Sequence, residues 1–349
     1  MAALGSLLLL ICACCWTAAF ENRAIIMLRR PPACSGVGVG AGRVAVLKSS
    51  QSNIHNDNDN DETIISAEIK ELMSKHDPIL LFASKLLPAA TAKDACAMYA
   101  WCRRLDEITD DPNADLSTIQ QRLNEWEYRF DELCNGRPVD GMDAALTQCL
   151  KRNKGSLGDE PFRDMIAGMK SDAVNHRRVK DIEELELYAY QVAGTVGIML
   201  LPLLDADMDR ARTPAIALGK AIQLINILRD ATPDAELERV YLPQDMLTSE
   251  NVSNQDILKL KSSDGYRRVV EKVADRARDL LMEAENGKSS LPGLGPLFVQ
   301  IIVELYRGYL IQLDQMNYDN LNTQGDRVRI STLQKIAASC KAVSAVYFQ

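Results

Sequence analysis

Two stretches of this chain place carboxylates where they could share a hard cation. In KDACAMYAWCRRLDEITD, residues 93–110, Tyr99, Arg103, Asp106 and Asp110 fall at i, i+4, i+7 and i+11, on one face of a helix. In ALGKAIQLINILRDATPD, residues 217–234, Gln223, Asn226, Asp230 and Asp234 fall at i, i+3, i+7 and i+11. Two carboxylates one turn apart can hold Mg²⁺ or Mn²⁺ through oxygen, and Mg²⁺ completes its shell with water and substrate phosphates. For the first stretch alone, a solvent-facing stripe of Arg and Asp fits equally well, since such surface pairs contribute only a few tenths of a kcal/mol. The second stretch is wrapped in Ile222, Leu224, Ile225, Ile227 and Leu228, which puts its polar stripe inside the domain, where amides and carboxylates need partners. Pro233 should end or kink this helix near Asp230, leaving acids at a C-terminus whose dipole disfavours them. A bound cation would offset that placement.

The elements that carry these stripes are read as helices. From Ile64 onward apolar residues recur at helical spacing (Ile65, Ile69, Leu72, Met73), and prolines such as Pro78, Pro88, Pro112, Pro138, Pro161, Pro202, Pro243 and Pro292 punctuate the long segments. No alternating β-branched run marks a strand, so the reading is a single all-α domain over residues 63–349. Between the two stripes lies ELELYAYQVAGTVGIMLLPLL, residues 184–204, strongly apolar and interrupted by Gly194 and Gly197. Those glycines fit tight helix packing, or a wall shaped for a long hydrocarbon. Residues 192–204 are too short for a membrane span and suit a buried core helix. Paired acidic sites beside an apolar wall describe an enzyme acting on prenyl diphosphates.

Composition sets the outer bounds. Hydrophobic residues make up 47% and charged residues 25%, with a formal charge of −8, so the basic stripe that nucleic acid requires is missing. Anionic small substrates are still allowed, because an Arg cluster or a held cation reverses the sign of a local site. Of nine cysteines, Cys12, Cys14, Cys15 and Cys34 lie in the presequence, and Cys96, Cys102, Cys134, Cys149 and Cys340 are scattered without a Cys-x-x-Cys pair. With only His55, His76 and His176 beside them, they read as reduced packing thiols rather than zinc ligands. Residues 1–19 form an apolar, signal-peptide-like run. Residues 20–50 carry Arg23, Arg29, Arg30, Arg43 and Lys48 against Glu21 alone, as a transit peptide does. Residues 51–62 are a polar, disordered linker. A signal peptide followed by a transit peptide resembles the bipartite targeting of algae with a secondary plastid.

From about Lys75 to Val346 the chain resembles the squalene/phytoene synthase family, and within it the phytoene-forming branch. The resemblance rests on YAWCRRLDEITDDPNA (99–114), PFRDMIAGMKSD (161–172), YAYQVAGTVG (188–197) and NILRDATPDAELERVYLPQD (226–245), in the family's order. It implies an isoprenoid-synthase helical bundle around a central hydrophobic cavity. The implied reaction is head-to-head condensation of two geranylgeranyl diphosphates, through prephytoene diphosphate, to phytoene, without NADPH. By motif, Asp106, Asp110, Asn226, Asp230 and Asp234 would hold the metal. Arg103, Arg229, Gln223 and Asn226 would serve the diphosphate, as would His76 and Arg327. Tyr99, Tyr188 and Tyr306 would line the reaction centre, and Val192, Ala193, Val196 and Gly197 the cavity wall. The chain departs from the family pattern at Asp77, Pro78, Ile79 and Leu80, at Pro233 and the following AELER, and at Arg327-Val328-Arg329.

A terpene cyclase or chain-elongating prenyltransferase typically pairs different acidic motifs, and two other functions are compatible with these residues. A squalene synthase would use farnesyl diphosphate and NADPH; the plastid-like presequence and the lack of a C-terminal membrane anchor argue against it. A scaffold or assembly protein could keep the fold without catalysis, although such relatives tend to lose metal carboxylates and this chain keeps all four. The hydrocarbon product implies peripheral association with a plastid membrane. The sequence carries no signal for oligomeric state.

Overall fold

The computed structural model describes residues 58–76, 81, 88–111, 113–293, 295–323 and 327–347. The two presequence segments, the first part of the 51–62 tract and the departures at 77–80 lie outside them. Helices dominate: α1 (Asn58–His76), α2 (Ala89–Thr109), α3 (Leu116–Cys134), α4 (Gly141–Arg152) and α5 (Glu160–Asp172) form the first half. Helix α6 (Ile182–Ala189) continues through a π turn at Tyr190–Gly194 into α7 (Thr195–Leu200) and a 3₁₀ turn. The second half is built from α8 (Met208–Arg229), α9 (Ala231–Glu236), α10 (Gln244–Ser249), α11 (Asn254–Leu258), α12 (Asp264–Gly287), α13 (Gly295–Gln315) and α14 (Thr332–Tyr347). Many helix starts are written locally. Asp115, Asp140, Asp181, Ser253 and Ser263 each accept a backbone N–H from the first turn that follows.

Two details differ from the sequence reading. Helix α1 begins at Asn58, so the end of the polar tract read as linker is helical. A short parallel pair, β1 (Arg178–Val179) and β2 (Val240–Pro243), joins the loop after α5 to the loop after α9. At two and four residues, these strands are too short to show alternation in sequence.

The apolar residues gather into two principal cores. One surrounds α2, α3 and α5, where Trp101 packs edge-on to Phe162 and tilted against Trp126 and Phe130. The other surrounds α8, α12 and α13 and is mostly aliphatic. The run Ile182–Leu204 serves both: Tyr188, Val192 and Ala193 belong to the second core, Val196 and Met199 to the first. By length and apolarity this run passes for a membrane span, yet most of it is buried between the cores, as the sequence reading expected of a core helix.

The π turn lets this helix face two ways. Thr195 N–H bonds to the carbonyl of Tyr190, five residues back, which widens the turn by one residue. The glycines around it are explained by packing. A Cβ at Gly197 would lie 2.8 Å from the Ala215 carbonyl oxygen, and one at Gly219 would lie 2.5 Å from that of Ala193. Both distances are backbone contacts, so α7 and the π turn meet α8 at a separation only hydrogen allows. Gly219→Ala should therefore cost about 1–3 kcal/mol of stability as overpacking, read as a lowered thermal unfolding midpoint; an unchanged midpoint would show that the two helices can separate freely.

Candidate active site

The two Asp-x-x-x-Asp pairs sit at helix ends, in different phases. Helix α2 stops at Thr109 with Asp110 as its C-cap, so Asp106 lies in its last turn. Helix α8 stops at Arg229 with Asp230 as its C-cap, and Asp234 follows in the separate short helix α9. The break before Pro233 is the one the sequence led us to expect. Asp234 N–H nonetheless bonds to the Asp230 carbonyl at 3.0 Å, so the pair remains one turn apart.

Around the first pair, Arg103 is buried and Asp110 is buried at the helix end, while Asp106 is half-buried. His76, from the end of α1, brings Nε2 to 3.1 Å from Glu107 Oε1, and Arg103 Nε lies 3.4 Å from the same oxygen. Glu107, which motif reasoning left out, thus accepts from Arg103 and lies beside His76, whose Nε2 makes no hydrogen bond within the protein. Burial and the neighbouring Arg103 hold the His76 imidazole below its usual range, which keeps it neutral. Tyr99, one turn before Arg103, is buried against Ile69 and Met73 of α1.

The second pair is built around Arg229. Its side chain is only 1% exposed and grips Asp230 in a fork, Nε to Oδ1 at 2.9 Å and Nη2 to Oδ2 at 2.6 Å. Its guanidinium carbon lies 5.9 Å from the Tyr309 ring, and Tyr309 packs against Tyr306. Burial opposes the charge on Arg229, but Asp230 more than offsets it and holds the guanidinium firmly protonated. Arg327 Nε lies 3.6 Å from Asp230 Oδ1, and the next residue, Val328, donates its N–H to the Arg229 carbonyl. The chain after α13 is therefore pinned to this site, with Arg327 beside the carboxylate.

One turn and two turns back along α8, Asn226 and Gln223 are buried, and both polar atoms of Asn226 and Oε1 of Gln223 find no hydrogen-bond partner within the protein. Orphaned amides of this kind need an explanation. Asp230 follows them as the C-cap of α8, and Asp234 comes one turn later in α9. Among the described residues no three His, Cys, Asp or Glu side chains converge to cage a metal. These donors therefore suit a cation that takes one or two carboxylates and an amide oxygen and fills its shell from water and phosphate, as Mg²⁺ does.

Four further residues enlarge the site. Tyr241 of β2 donates its hydroxyl to Asp172 Oδ1 at 2.7 Å and stacks on Tyr188 with centroids 5.5 Å apart. Arg177 and Arg239 flank Asp172, each with a nitrogen 3.9 Å from one of its oxygens, and the Arg177 guanidinium lies over the Tyr188 ring. The small β1–β2 pair holds these groups in place, since Val240 N–H bonds to the Arg177 carbonyl. Asp172 and Tyr241 lie within the family-like segments, but no helical period relates them to the acidic stripes. Only the strand pairing brings them beside Tyr188 and Asp234.

Asp234 is the carboxylate under most strain. It is half-buried and borders a void of about 20 Å³ with Arg239, Tyr241, Tyr266 and Asn320. Burial, followed by repulsion from Asp230, raises its carboxyl to about 8, against partial relief from Arg239. The sign is opposite to that of a paired surface acid. The folded state holds this proton where the unfolded chain has lost it, so the group's contribution to stability declines as pH rises from about 4 to about 8. Without divalent cations, Asp234→Asn should raise the unfolding midpoint, by an increment that grows over that interval and levels off above it. An increment independent of pH would show that Asp234 ionises normally.

Comparison with known proteins adds the family. The squalene/phytoene synthase profile matches residues 73–334. Phytoene synthase 2, chloroplastic, of Solanum lycopersicum is 38% identical over 256 residues, covering 72% of this chain and 81% of its own. The 15-cis-phytoene synthase of Synechococcus elongatus is 37% identical over 264 residues, covering 72% and 84%. Among solved structures, a dehydrosqualene synthase in complex with ligand superposes with a TM-score of 0.68 at 26% identity, over 83% of this chain and 99% of that one. With the acidic stripes, the orphaned amides and the all-α fold already in place, the match fixes the assignment: this chain belongs to the squalene/phytoene synthase family.

Proposed function

We propose that the protein is a prenyltransferase that condenses two molecules of geranylgeranyl diphosphate head to head to phytoene, through prephytoene diphosphate, in carotenoid synthesis. The observation that carries this reading is the run of Gln223, Asn226, Asp230 and Asp234, with its buried, unpartnered amides. The similarity to phytoene synthases supports the same substrate. Mg²⁺, or Mn²⁺ in its place, would be held by Asp106 and Asp110 on one side and by Asn226, Asp230 and Asp234 on the other. When bound, it neutralises diphosphate charge as the leaving group departs. Arg103, Arg229 and Arg327 supply fixed positive charge to the same groups. His76, held neutral, offers a hydrogen-bond donor rather than a charge.

The aromatic residues serve the hydrocarbon end of the reaction. Tyr188, Tyr306 and Tyr99 are buried and present ring faces and hydroxyls that stabilise carbocations without trapping them. Val192, Ala193 and Val196 give the apolar wall against which the prenyl chains lie. The protein works in a plastid, as the relatives named chloroplastic suggest, reached through the bipartite presequence of a secondary-plastid alga. Its hydrocarbon product calls for peripheral contact with a membrane there.

The reading is tested by incubating the protein with geranylgeranyl diphosphate and Mg²⁺, without reductant, and extracting the lipids. A forty-carbon hydrocarbon with the mass of phytoene is expected. Turnover of farnesyl diphosphate alone, and only with NADPH, would make it a squalene synthase; a folded but inert protein would favour a scaffold. Asp106→Ala should lower kcat by about 10²–10³-fold while circular dichroism keeps its helical signal.

A further inference from the structure

The helix α14 carries an apolar stripe that nothing in the described structure covers. Leu333, Ile336, Cys340, Val343 and Tyr347 recur at alternating intervals of three and four residues, one face of a helix, and all are exposed, Leu333 to 79%. The opposite face is committed to the protein. Ala342 is buried in the α8/α12/α13 core, Val346 packs against it, and Lys341 Nζ lies 2.8 Å from Glu304 of α13. The stripe therefore points away from the body of the domain.

Charge separates the occupants such a face could take. From Arg327 to Gln349 there is no acidic residue; Arg327 and Lys341 are taken up by Asp230 and Glu304, and Arg329 and Lys335 present their positive charge at the surface of a protein of net −8. A second copy of this chain would bring the same positive segment against itself. The available area is also small: 16 residues make a helix about 24 Å long, whose exposed stripe covers about 240 Å², against about 800 Å² per partner in a stable interface. A bilayer sets no such minimum. A helix with an apolar face and basic flanks lies in the interfacial plane and prefers anionic headgroups.

We propose that α14 docks the protein on an anionic membrane surface, with Leu333, Ile336, Cys340, Val343 and Tyr347 immersed at the acyl boundary. The inference rests on the peripheral-membrane reading given above and names the surface responsible for it. The docking helix begins five residues after Arg327, so the same short segment reaches both the membrane and Asp230.

The test is hydrogen–deuterium exchange of the full chain with vesicles of phosphatidylcholine alone or mixed with phosphatidylglycerol. Because the readout is local, binding through the apolar residues 1–19 registers in its own peptides. Peptides within 332–347 should exchange about tenfold more slowly with anionic vesicles and show little change with neutral ones. Ile336→Glu combined with Val343→Glu should abolish that protection while leaving the unfolding midpoint and turnover of detergent-dispersed substrate unchanged. If the protein binds vesicles and α14 exchange does not respond, the membrane reading stands and the docking helix falls. Failure to bind any vesicle overturns both. Protection of α14 that grows with protein concentration in the absence of lipid would assign the face to a second copy and overturn the proposal.

Discussion

The buried fork between Arg229 and Asp230 is the interaction on which the rest of the site depends. A guanidinium 1% exposed is tolerable only because a carboxylate meets it in two hydrogen bonds, and a carboxylate at a helix C-terminus is tolerable only because the guanidinium meets it. Other elements are arranged around that pair. Tyr309 offers a ring face to Arg229, Val328 takes its backbone carbonyl, and Arg327 lies beside the Asp230 oxygen that Arg229 Nε binds. Asp234, one turn on, is left with too little positive charge of its own and stays protonated near neutrality. A divalent cation arriving with phosphate would correct that imbalance, so the empty balance of charge is itself a form of preorganisation for an anionic substrate with its counterion.

The cluster of Asp172, Arg177, Arg239, Tyr241 and Tyr188 extends the same logic. It joins the end of α5 to the loop after α9 through hydrogen bonds, stacking and two short strands, and its Arg239 and Tyr241 line the space beside Asp234. Burial and Asp172 together push the Tyr241 phenol far above its ordinary range, so it remains a hydrogen-bond donor under all working conditions. Tyr188 is consequently held from two sides, by a stacked ring and by a guanidinium, and its orientation is fixed before substrate arrives.

Most of the helices and both acidic stripes were legible in the sequence, because a period of 3.6 places Tyr99, Arg103, Asp106 and Asp110, or Gln223, Asn226 and Asp230, on a common face without reference to anything distant. Pro233 likewise announced the end of α8. What periodicity could not reveal was contact between remote segments: the β1–β2 pairing, the approach of Arg177 and Arg239 to Asp172, and that of His76 to Glu107. The glycines illustrate the same limit. Gly194 and Gly197 suggested either a hydrocarbon wall or close packing, and only the position of α8 shows that Gly197 meets backbone; Gly219 of α8, which meets the Ala193 carbonyl in the same way, gave no signal in the sequence.

The π turn at Tyr190–Gly194 has one more consequence. By holding an additional residue in its ring, it sets the rotation of α6 relative to α7, and so directs Tyr188 toward Tyr241 while Val196 faces the aromatic core. Were the same residues to close as ordinary α-helix, everything on the N-terminal side would swing by about 100° relative to α7. The extra residue is therefore tied to the turn's geometry: the two faces keep their directions only while those five residues stay in the wider ring, and a chain one residue shorter would keep them by closing as ordinary α-helix.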